Sequence, residues 1–552
     1  MSRFVFHHPS SLWFPKQFQP CMLVTNLNET PVPAQMHWGD EKLTILLLEE
    51  EAGRVQIMVR TSDGGGLMAS TVWLFPKLSG YRLEIELLRG TISRLRNGIQ
   101  IWKANALPVP DALEQEVQLL TTALIRAWRT TDFASIAQPT LELLHRAQAG
   151  LKQLATILVQ QQGKDCFVPQ VKPDLLAGAE AVDDTIKQRV GDIAEPSAPP
   201  SKFSLGLSLD MAQRSTVVDL FASKDIVRRT DKSDVDDSLG FASDGPSDPH
   251  AEESLLSRLL NTKRLSLVEF GLDWKDFSAS SDQEDSQQRV AILQKAASRL
   301  RAVGRRTILG SMFRIQEGCL PDGVSASSDV SSLSASFGQS LRQQLSKLAS
   351  DVDMIHVVSG INGVGVAGLT PTIQSALVEN ALETAATIAP YTPLMISFSQ
   401  PLGERLAWSV GGQNVDQLLV KLAKQKIPVH AVGLEVDLGY FPIGTLPRDP
   451  FGWIMNLQKW AVWDVPIYIF LRVPSQARPE LRTKHFDPMG RAEVSGLNQM
   501  NSIMEFANFA SSLPWVHGVI FSDWKDTNHR FYDAGLVDCQ GNAKPVLERL
   551  LQ

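Results

Sequence analysis

From about residue 200 onward, short strand-like runs alternate with longer helical patterns, and this alternation limits the possible folds more than any other feature. The helical patterns include residues 289–304 and 372–389, where apolar residues recur every three or four positions. Eight such repeats predict a parallel sheet closed into a (β/α)₈ or TIM barrel over residues 201–552. The eight strand-like runs are KFSLGLSLD at 202–210, RLSLVEFGL at 264–272, RRTILGSMF at 305–313, MIHVVSG at 354–360, PLMISFSQ at 393–400, VHAVGLEVDLGY at 429–440, PIYIFLRV at 466–473 and VHGVIFSD at 516–523.

A different pattern precedes the predicted barrel. Residues 1–105 contain alternating runs such as KLTILLLEE, RVQIMVR and YRLEIELL, separated by turn signals that include GGG at 64–66. Alternation with period two predicts antiparallel strands and a β-sandwich-like domain. Trp38, Trp73 and Trp102 are candidates for a carbohydrate-binding face, with filling of the sandwich core as the alternative.

Between these two regions, the composition predicts a helical segment and a linker. Residues 106–163 show helical spacing in two runs, which predicts a helical hairpin. Residues 164–200 are rich in Ala, Asp, Glu and Pro, as linkers are. Residues 224–253 have mixed charge and no apolar period, which predicts a mobile surface insertion in the barrel.

Composition and charge exclude several functional classes. The hydrophobic fraction of 43% and the charged fraction of 20% are ordinary for a globular protein, and the net charge of −7 argues against binding nucleic acid or an anionic membrane. Four widely spaced cysteines suggest reduced thiols. The N-terminus lacks the pattern of a signal peptide and no apolar run approaches the ~18 residues of a membrane span, so we expect a cytoplasmic protein.

Motifs of other chemistries are missing from the sequence. It contains no P-loop, no HExxH and no GxSxG. The glycine-rich segment at 360–368 is better explained as the loop after strand four than as a dinucleotide-binding motif. The expectation is therefore a protein without a cofactor or metal.

The end of the chain resembles glycoside hydrolase family 10. Its last strand is followed by an Asp and Trp cluster, and RLSLVEFGLDWKDFSAS resembles the family's second strand, with Trp274 in place of the family's tryptophan. The chain also resembles bacterial proteins described as family 10-like or xylanase-like. The resemblance implies hydrolysis of O-glycosyl bonds in a β-linked polysaccharide or oligosaccharide. The closing "GL-D-G-KP" pattern of the family is matched by Gly535, Leu536, Asp538, Gly541, Lys544 and Pro545.

The two catalytic glutamates that the resemblance implies are absent from the matching positions. The family's acid/base glutamate follows an Asn at the end of strand four, where this chain has Ser359 and Gly360. The family's nucleophile lies on strand seven, where this chain has Leu471. Retaining hydrolysis needs two carboxyl groups, so neither glycine nor leucine can replace them.

Other carboxylates follow the predicted strands, where a barrel of this kind places its site. Glu404 follows strand five, and Glu435 lies within strand six on the inward face together with Asp437. We hypothesise that Glu404 and Glu435 form a replacement catalytic pair. The alternative is that each is a structural acceptor, paired with loop amides or with an arginine such as Arg448 or Arg472.

Further polar and aromatic residues at the same rim are candidates for substrate binding. Tryptophan and tyrosine rings would form a stacking platform beside acids that bind hydroxyls, with ordinary packing as the alternative. The loop at 439–453 is expected to form a wall of the site. The candidates are Trp274, Gln400, Asp437, Tyr440, Arg448, Asp523, Trp524 and Asp526.

Three functions fit these features. The first is a divergent glycoside hydrolase that uses Glu404 and Glu435. The second is a catalytically inactive carbohydrate-binding pseudoenzyme, and the third is an intracellular scaffold. Fold alone does not choose among them.

Overall fold

The computed structural model describes large parts of the N-terminal region and of the predicted barrel. The predicted linker at 164–200, most of the predicted insertion at 224–253, and Trp274 lie outside the described residues. The structure describes residues 2–7, 10–27, 29–39, 42–48, 52–77, 80–161, 203–210, 249–271, 283–315, 319, 330–362, 370–404, 415–478, 484–526 and 531–552.

Among its described residues, the N-terminal region begins with seven strands in two antiparallel sheets. They are β1 (Ser2–His7), β2 (Met22–Thr25), β3 (Pro31–Val32), β4 (Ala34–Trp38), β5 (Lys42–Leu47), β6 (Arg54–Arg60) and β7 (Gly66–Ser70). One sheet has the order β1-β5-β4 and the other β3-β2-β6-β7. Period-two alternation produces them, since β5 buries every second residue.

The strand predicted from YRLEIELL is wrong, because these residues enter helix α1 (Leu83–Ala104). The run of alternating apolar residues is short, and the apolar pattern continues at helical spacing through Leu88, Ile92, Leu95 and Ile99, all of which are buried. A helix buries this longer stripe, which a strand could not.

The predicted helical hairpin is formed by helices α2 (Asp111–Arg129) and α3 (Phe133–Gln160), which pack against α1. The Trp102 ring is fully buried and donates its Nε1 hydrogen to the Leu154 carbonyl at 3.0 Å. Trp102 is therefore a core residue rather than part of a carbohydrate-binding face.

The predicted TIM barrel is confirmed, because eight parallel strands close into a ring in chain order. A two-stranded ribbon formed by β14 (Tyr440–Phe441) and β16 (Lys484–His485) stands outside the ring. The strands of this region are β8 (Ser204–Asp210), β9 (Leu265–Gly271), β10 (Arg306–Arg314), β11 (Met354–Ile361), β12 (Leu394–Ser399), β13 (Ala431–Asp437), β14 (Tyr440–Phe441), β15 (Ile467–Arg472), β16 (Lys484–His485) and β17 (Val516–Phe521).

Helices surround the ring and cover the outward-facing residues of the strands. Leu434 and Val436, for example, belong to the apolar core between sheet and helices, as their alternation with Glu435 predicted. The helices are α4 (Pro249–Asn261), α5 (Gln283–Ala302), α6 (Val330–Leu348), α7 (Pro371–Ile388), α8 (Val415–Lys424), α9 (Pro450–Gln458), α10 (Gly496–Ser511) and α11 (Pro545–Leu551).

The interior of the barrel is apolar at one end and polar at the other. Leu267, Ile308, Met395 and Ala431 pack together towards the N-terminal ends of their strands. Two to four residues further along each strand, the inner face carries charged and hydroxyl side chains. This polar layer therefore lies at the C-terminal end of the ring. Barrels of this class place their sites at that end. In the described part of the chain, no helix combines the length and apolar character needed to cross a membrane.

Candidate active site

The Glu435 carboxylate, on the inner face of β13, is held by three hydrogen bonds. One oxygen accepts from the Gly360 amide at 2.7 Å and from the Ser397 hydroxyl at 2.5 Å, and the other accepts from the Ser399 hydroxyl. Burial raises the pKa of the Glu435 carboxyl, but these hydrogen bonds and the charge of Arg472 outweigh burial and hold the pKa below its ordinary value. Glu435 is therefore ionised at neutral pH.

Ser397 connects Glu435 to a second carboxylate through a histidine. The Ser397 Oγ lies 2.9 Å from His356 Nε2, and His356 Nδ1 lies 2.6 Å from Glu269 Oε1. These four side chains project inward from β13, β12, β11 and β9, and all but Glu435 are buried. We call this series of residues the tetrad.

The direction of each hydrogen bond in the tetrad follows from the ionised state of Glu435. Ser397 has one proton, which it donates to Glu435, so its oxygen must accept the Nε2 hydrogen of His356. The short contact between Nδ1 and Glu269 then contains another proton, because two acceptors cannot approach to 2.6 Å without one. Glu269 and His356 together hold one proton more than an ionised carboxylate and a neutral imidazole.

Arg472 places a positive charge beside Glu435. Its Nη1 donates to Asp437 at 2.9 Å and its Nε to Asp523 at 2.7 Å. Burial lowers the pKa of the Arg472 guanidinium, but the negative charges of Asp523, Asp437 and Glu435 outweigh burial and hold that pKa above its ordinary value. Asp437 and Asp523 therefore act through Arg472 as its counter-charges.

The tetrad opens into a small polar cavity in the barrel mouth. The cavity has about 40 Å³ of space for water-sized groups, where one water needs roughly 10–15 Å³. The buried hydroxyl of Ser522 lines it and has no hydrogen-bond partner within the described ranges. The lining residues include Ser208, Glu269, Ser311, Arg314, His356, Ser359, Ser399, Glu435, Ile443, Phe470, Arg472, Ser522 and Phe531.

Solved structures similar to this chain include bacterial xylanases. Xylanase 10B from Thermotoga maritima is 14% identical with a TM-score of 0.41, covering 66% of this chain and 97% of its own. A family 10 structure from Paenibacillus barcinonensis is 15% identical with a TM-score of 0.42, covering 66% and 96%. Native xylanase 10C from Cellvibrio japonicus is 11% identical with a TM-score of 0.41, covering 64% and 70%. No protein-family model and no curated protein matches the chain.

Glu404, the other member of the hypothesised pair, is not among the residues that line this cavity. Its carboxylate is fully buried and accepts a hydrogen bond from Arg448 Nη1 at 2.7 Å. Arg448 is therefore committed to Glu404 and does not face the cavity. The structure thus brings Glu435, but not Glu404, to the cavity.

The predicted wall at 439–453 does contribute to the cavity through Ile443. Gln400 holds this loop, donating its amide hydrogens to the carbonyls of Pro442 at 2.9 Å and Gly444 at 3.0 Å. Gln400 is itself buried, so its position indicates a role in supporting the wall.

Two residues of the suggested stacking platform are buried instead. Tyr440 is 1% exposed and donates its hydroxyl to the Tyr532 carbonyl at 2.7 Å, while Trp524 is 2% exposed and packs in the main core. Neither ring lines the cavity. Asp526 also has a structural partner, since it accepts a hydrogen bond from Lys544 Nζ at 2.6 Å. The platform interpretation is therefore wrong for Tyr440 and Trp524.

The structure also corrects the position considered on strand seven. Leu471 faces outward into the core beneath the helices, whereas its neighbours Phe470 and Arg472 line the cavity. A shift of one residue along a strand exchanges its faces, so Leu471 cannot occupy a place in the site. Neither Phe470 nor Arg472 is a carboxylate, while Gly360 contributes its amide to Glu435.

Sequence reasoning missed Glu269, His356 and Ser397. Glu269 and His356 each interrupt a strand that is otherwise mostly apolar, and each shares a face with an apolar residue two positions earlier. Alternation along β9 and β11 would have placed both inside the barrel, as it did for Glu435. That they contact each other depends on the closure of the ring.

Proposed function

We propose that the barrel mouth is an acid–base site that hydrolyses a glycosidic bond in a β-linked carbohydrate, as a divergent glycoside hydrolase. The observation that carries this proposal is that one cavity contains the Glu435 carboxylate, which accepts three hydrogen bonds, and the Glu269–His356 pair, whose side chains approach to 2.6 Å. From this geometry we infer an ionised carboxylate at Glu435 and a proton donor at the pair, the two kinds of group that glycoside hydrolysis needs.

In the proposed reaction, Glu435 is the base and the Glu269–His356 pair is the acid. Glu435 removes a proton from a water molecule as that water attacks the anomeric carbon. The pair donates its extra proton to the departing oxygen, so the glycosidic bond breaks without leaving an alkoxide. A serine and an imidazole ring separate the two carboxyl groups, and this spacing favours direct attack by water over a covalent glycosyl intermediate.

The cavity lining suits a hydroxyl-rich substrate. The Ser522 hydroxyl, which has no hydrogen-bond partner among the described residues, offers a hydrogen bond to such a substrate. The cavity is large enough for the reacting atoms and a water molecule but not for a whole sugar ring, so the rings would lie towards the rim of the barrel.

The test is release of reducing ends from xylan and from a panel of β-glucans. We expect activity in the wild type and a loss of about 10²-fold or more in Glu435→Gln and in Glu269→Gln. Glu116→Gln is the matched control, because Glu116 pairs with Arg146 on the surface of the N-terminal helices. Full activity in both cavity variants, or no cleavage of any glycan by the wild type, would overturn the proposal.

A non-catalytic carbohydrate-binding protein is the second candidate. The observation that favours it is that Glu435 already accepts three hydrogen bonds from the protein, as a structural acceptor would. Calorimetric titration with xylo- and gluco-oligosaccharides would then show binding without cleavage.

A further inference from the structure

The tetrad has a further property, which concerns how the site would recover after each reaction. In the arrangement described above, which we call the resting state, Glu435 is ionised and the Glu269–His356 pair holds the extra proton. The proposed hydrolysis leaves the opposite arrangement, because Glu435 has gained a proton from water and the pair has lost one to the leaving group. The site must therefore move one proton from Glu435 to the pair before it can act again.

We propose that Ser397 resets the site by relaying this proton from Glu435 to His356. The proton on Glu435 passes to the Ser397 oxygen while the Ser397 hydroxyl proton passes to His356 Nε2. An O–H bond breaks at Glu435, one O–H bond forms and one breaks at Ser397, and an N–H bond forms at His356, so the total proton count of the tetrad is unchanged. Glu435 is then ionised and His356 is protonated, which restores the resting state.

The geometry supports each step of this relay. The two donor–acceptor distances are 2.5 Å between Ser397 Oγ and Glu435 Oε1, and 2.9 Å between Ser397 Oγ and His356 Nε2, so neither transfer requires a movement of heavy atoms. Ser397 is fully buried, so its hydroxyl exchanges protons with these two neighbours rather than with bulk water.

The surrounding charges fix the direction of the relay. Glu269 faces His356 Nδ1 and stabilises the imidazolium, and the ring of Phe470 stacks against His356 at 5.1 Å. On the other side, Arg472 stabilises the ionised form of Glu435. Arg314 lines the same cavity and is the other cation there among the described residues. The charges adjoining each end therefore favour the resting state.

Ser399 provides a matched control for Ser397. Both hydroxyls donate to Glu435, but only Ser397 also contacts His356. Ser397→Ala should interrupt the relay, whereas Ser399→Ala should weaken the support of Glu435 and leave the relay intact. Ser397→Thr keeps a hydroxyl at the position and should restore the connection.

The relay can be measured without any substrate, although its use in turnover rests on the proposed function. In full-length protein labelled with ¹⁵N-histidine, the His356 signal is identified among 10 histidines by its loss in His356→Gln. We expect Glu435→Gln to shift the ring-nitrogen signals of His356, because Ser397 connects the two side chains. This shift should be lost when Glu435→Gln is combined with Ser397→Ala, and retained when it is combined with Ser399→Ala.

The outcomes separate the relay from the proposed hydrolysis. If Glu435→Gln shifts the His356 signals equally in the presence and in the absence of the Ser397 hydroxyl, the relay is overturned, whether or not a glycan is cleaved. If the wild type cleaves a glycan, Ser397→Ala should slow the steady state by about 10²-fold more than it slows the first turnover, whereas Ser399→Ala, which also removes a hydrogen bond to Glu435, should slow both equally. A first turnover slowed equally would contradict resetting and indicate a purely structural serine. If no glycan is cleaved, the hydrolysis proposal fails and the comparison of His356 ring-nitrogen signals still decides the relay.

Discussion

At the scale of single residues, the same side-chain type has opposite roles in this barrel. Glu435 lies on β13 and Glu404 follows the neighbouring strand β12, yet Glu435 lines a cavity while Glu404 is fully enclosed with Arg448. A carboxylate in a wet cavity is available for chemistry, whereas one enclosed with a guanidinium serves to neutralise it. The surroundings of each glutamate, a cavity for Glu435 and the Arg448 guanidinium for Glu404, therefore decide its role.

Glu404→Gln is therefore expected to destabilise the fold. Removing one partner leaves the Arg448 charge buried without a counter-charge, which costs roughly 3–5 kcal/mol of unfolding free energy. Denaturant unfolding measures this loss, and Glu116→Gln, which breaks an exposed ion pair, should cost at most about 1 kcal/mol. Unchanged stability together with lost hydrolysis in Glu404→Gln would instead support the catalytic pair hypothesised from the sequence.

At the scale of elements, helix α1 is fitted to the sheet beside it through a glycine. A Cβ atom built on Gly90 would lie 1.9 Å from the Ser70 carbonyl oxygen at the end of β7. Such a distance is impossible without a shift of backbone, so the absence of a side chain at residue 90 sets how closely helix and strand approach.

Replacing glycine by alanine should therefore have opposite effects on stability at Gly90 in α1 and at Gly338 in α6. Gly90→Ala is expected to lower the melting temperature, at a cost of about 1–3 kcal/mol for overpacking. Gly338 lies in α6 with its nearest neighbours 3.7 Å from the added Cβ, so Gly338→Ala should raise stability by about 0.5–1 kcal/mol. Equal responses of the two variants would show that the close approach of α1 to β7 is not maintained in solution.

At the scale of the whole molecule, the N-terminal region supports the loop that walls the cavity. Arg94 on α1 makes a bidentate ion pair with Asp449, with distances of 3.0 and 3.1 Å. Asp449 in turn caps helix α9 through the Gly452 amide at 2.7 Å. The Met68 amide on β7 donates to the Pro447 carbonyl at 2.9 Å. These contacts join the first hundred residues to the barrel mouth.

Loss of the Arg94–Asp449 pair should loosen this loop selectively. In Arg94→Ala, we expect faster hydrogen exchange in a peptide spanning residues 440–452 and little change in peptides from strands β9 to β12. Arg146→Ala is the matched control, because it removes another bidentate pair, with Glu116, inside the N-terminal region. Identical exchange of the loop in both variants would show that the N-terminal region does not position it.

The sequence by itself determined the barrel and the faces of its strands. Periodicity is local, so eight strand-like runs and the inward position of Glu435 and Asp437 could be derived from neighbouring residues alone. The same argument failed for residues 83–88, where a short stretch fits both a strand and the start of a longer helical stripe. Only the burial of that apolar stripe against the rest of the protein shows that these residues form helix α1 rather than a strand.

Only the tertiary structure decided which side chains meet. Glu269, His356, Ser397 and Glu435 lie on four strands that are far apart in the chain, and closure of the ring brings their inner faces together at one level. Likewise, the burial of Tyr440 and Trp524 and the pairing of Glu404 with Arg448 depend on loops packed by distant segments. Hydrogen bonding and burial are properties of such long-range contacts, which local patterns do not contain.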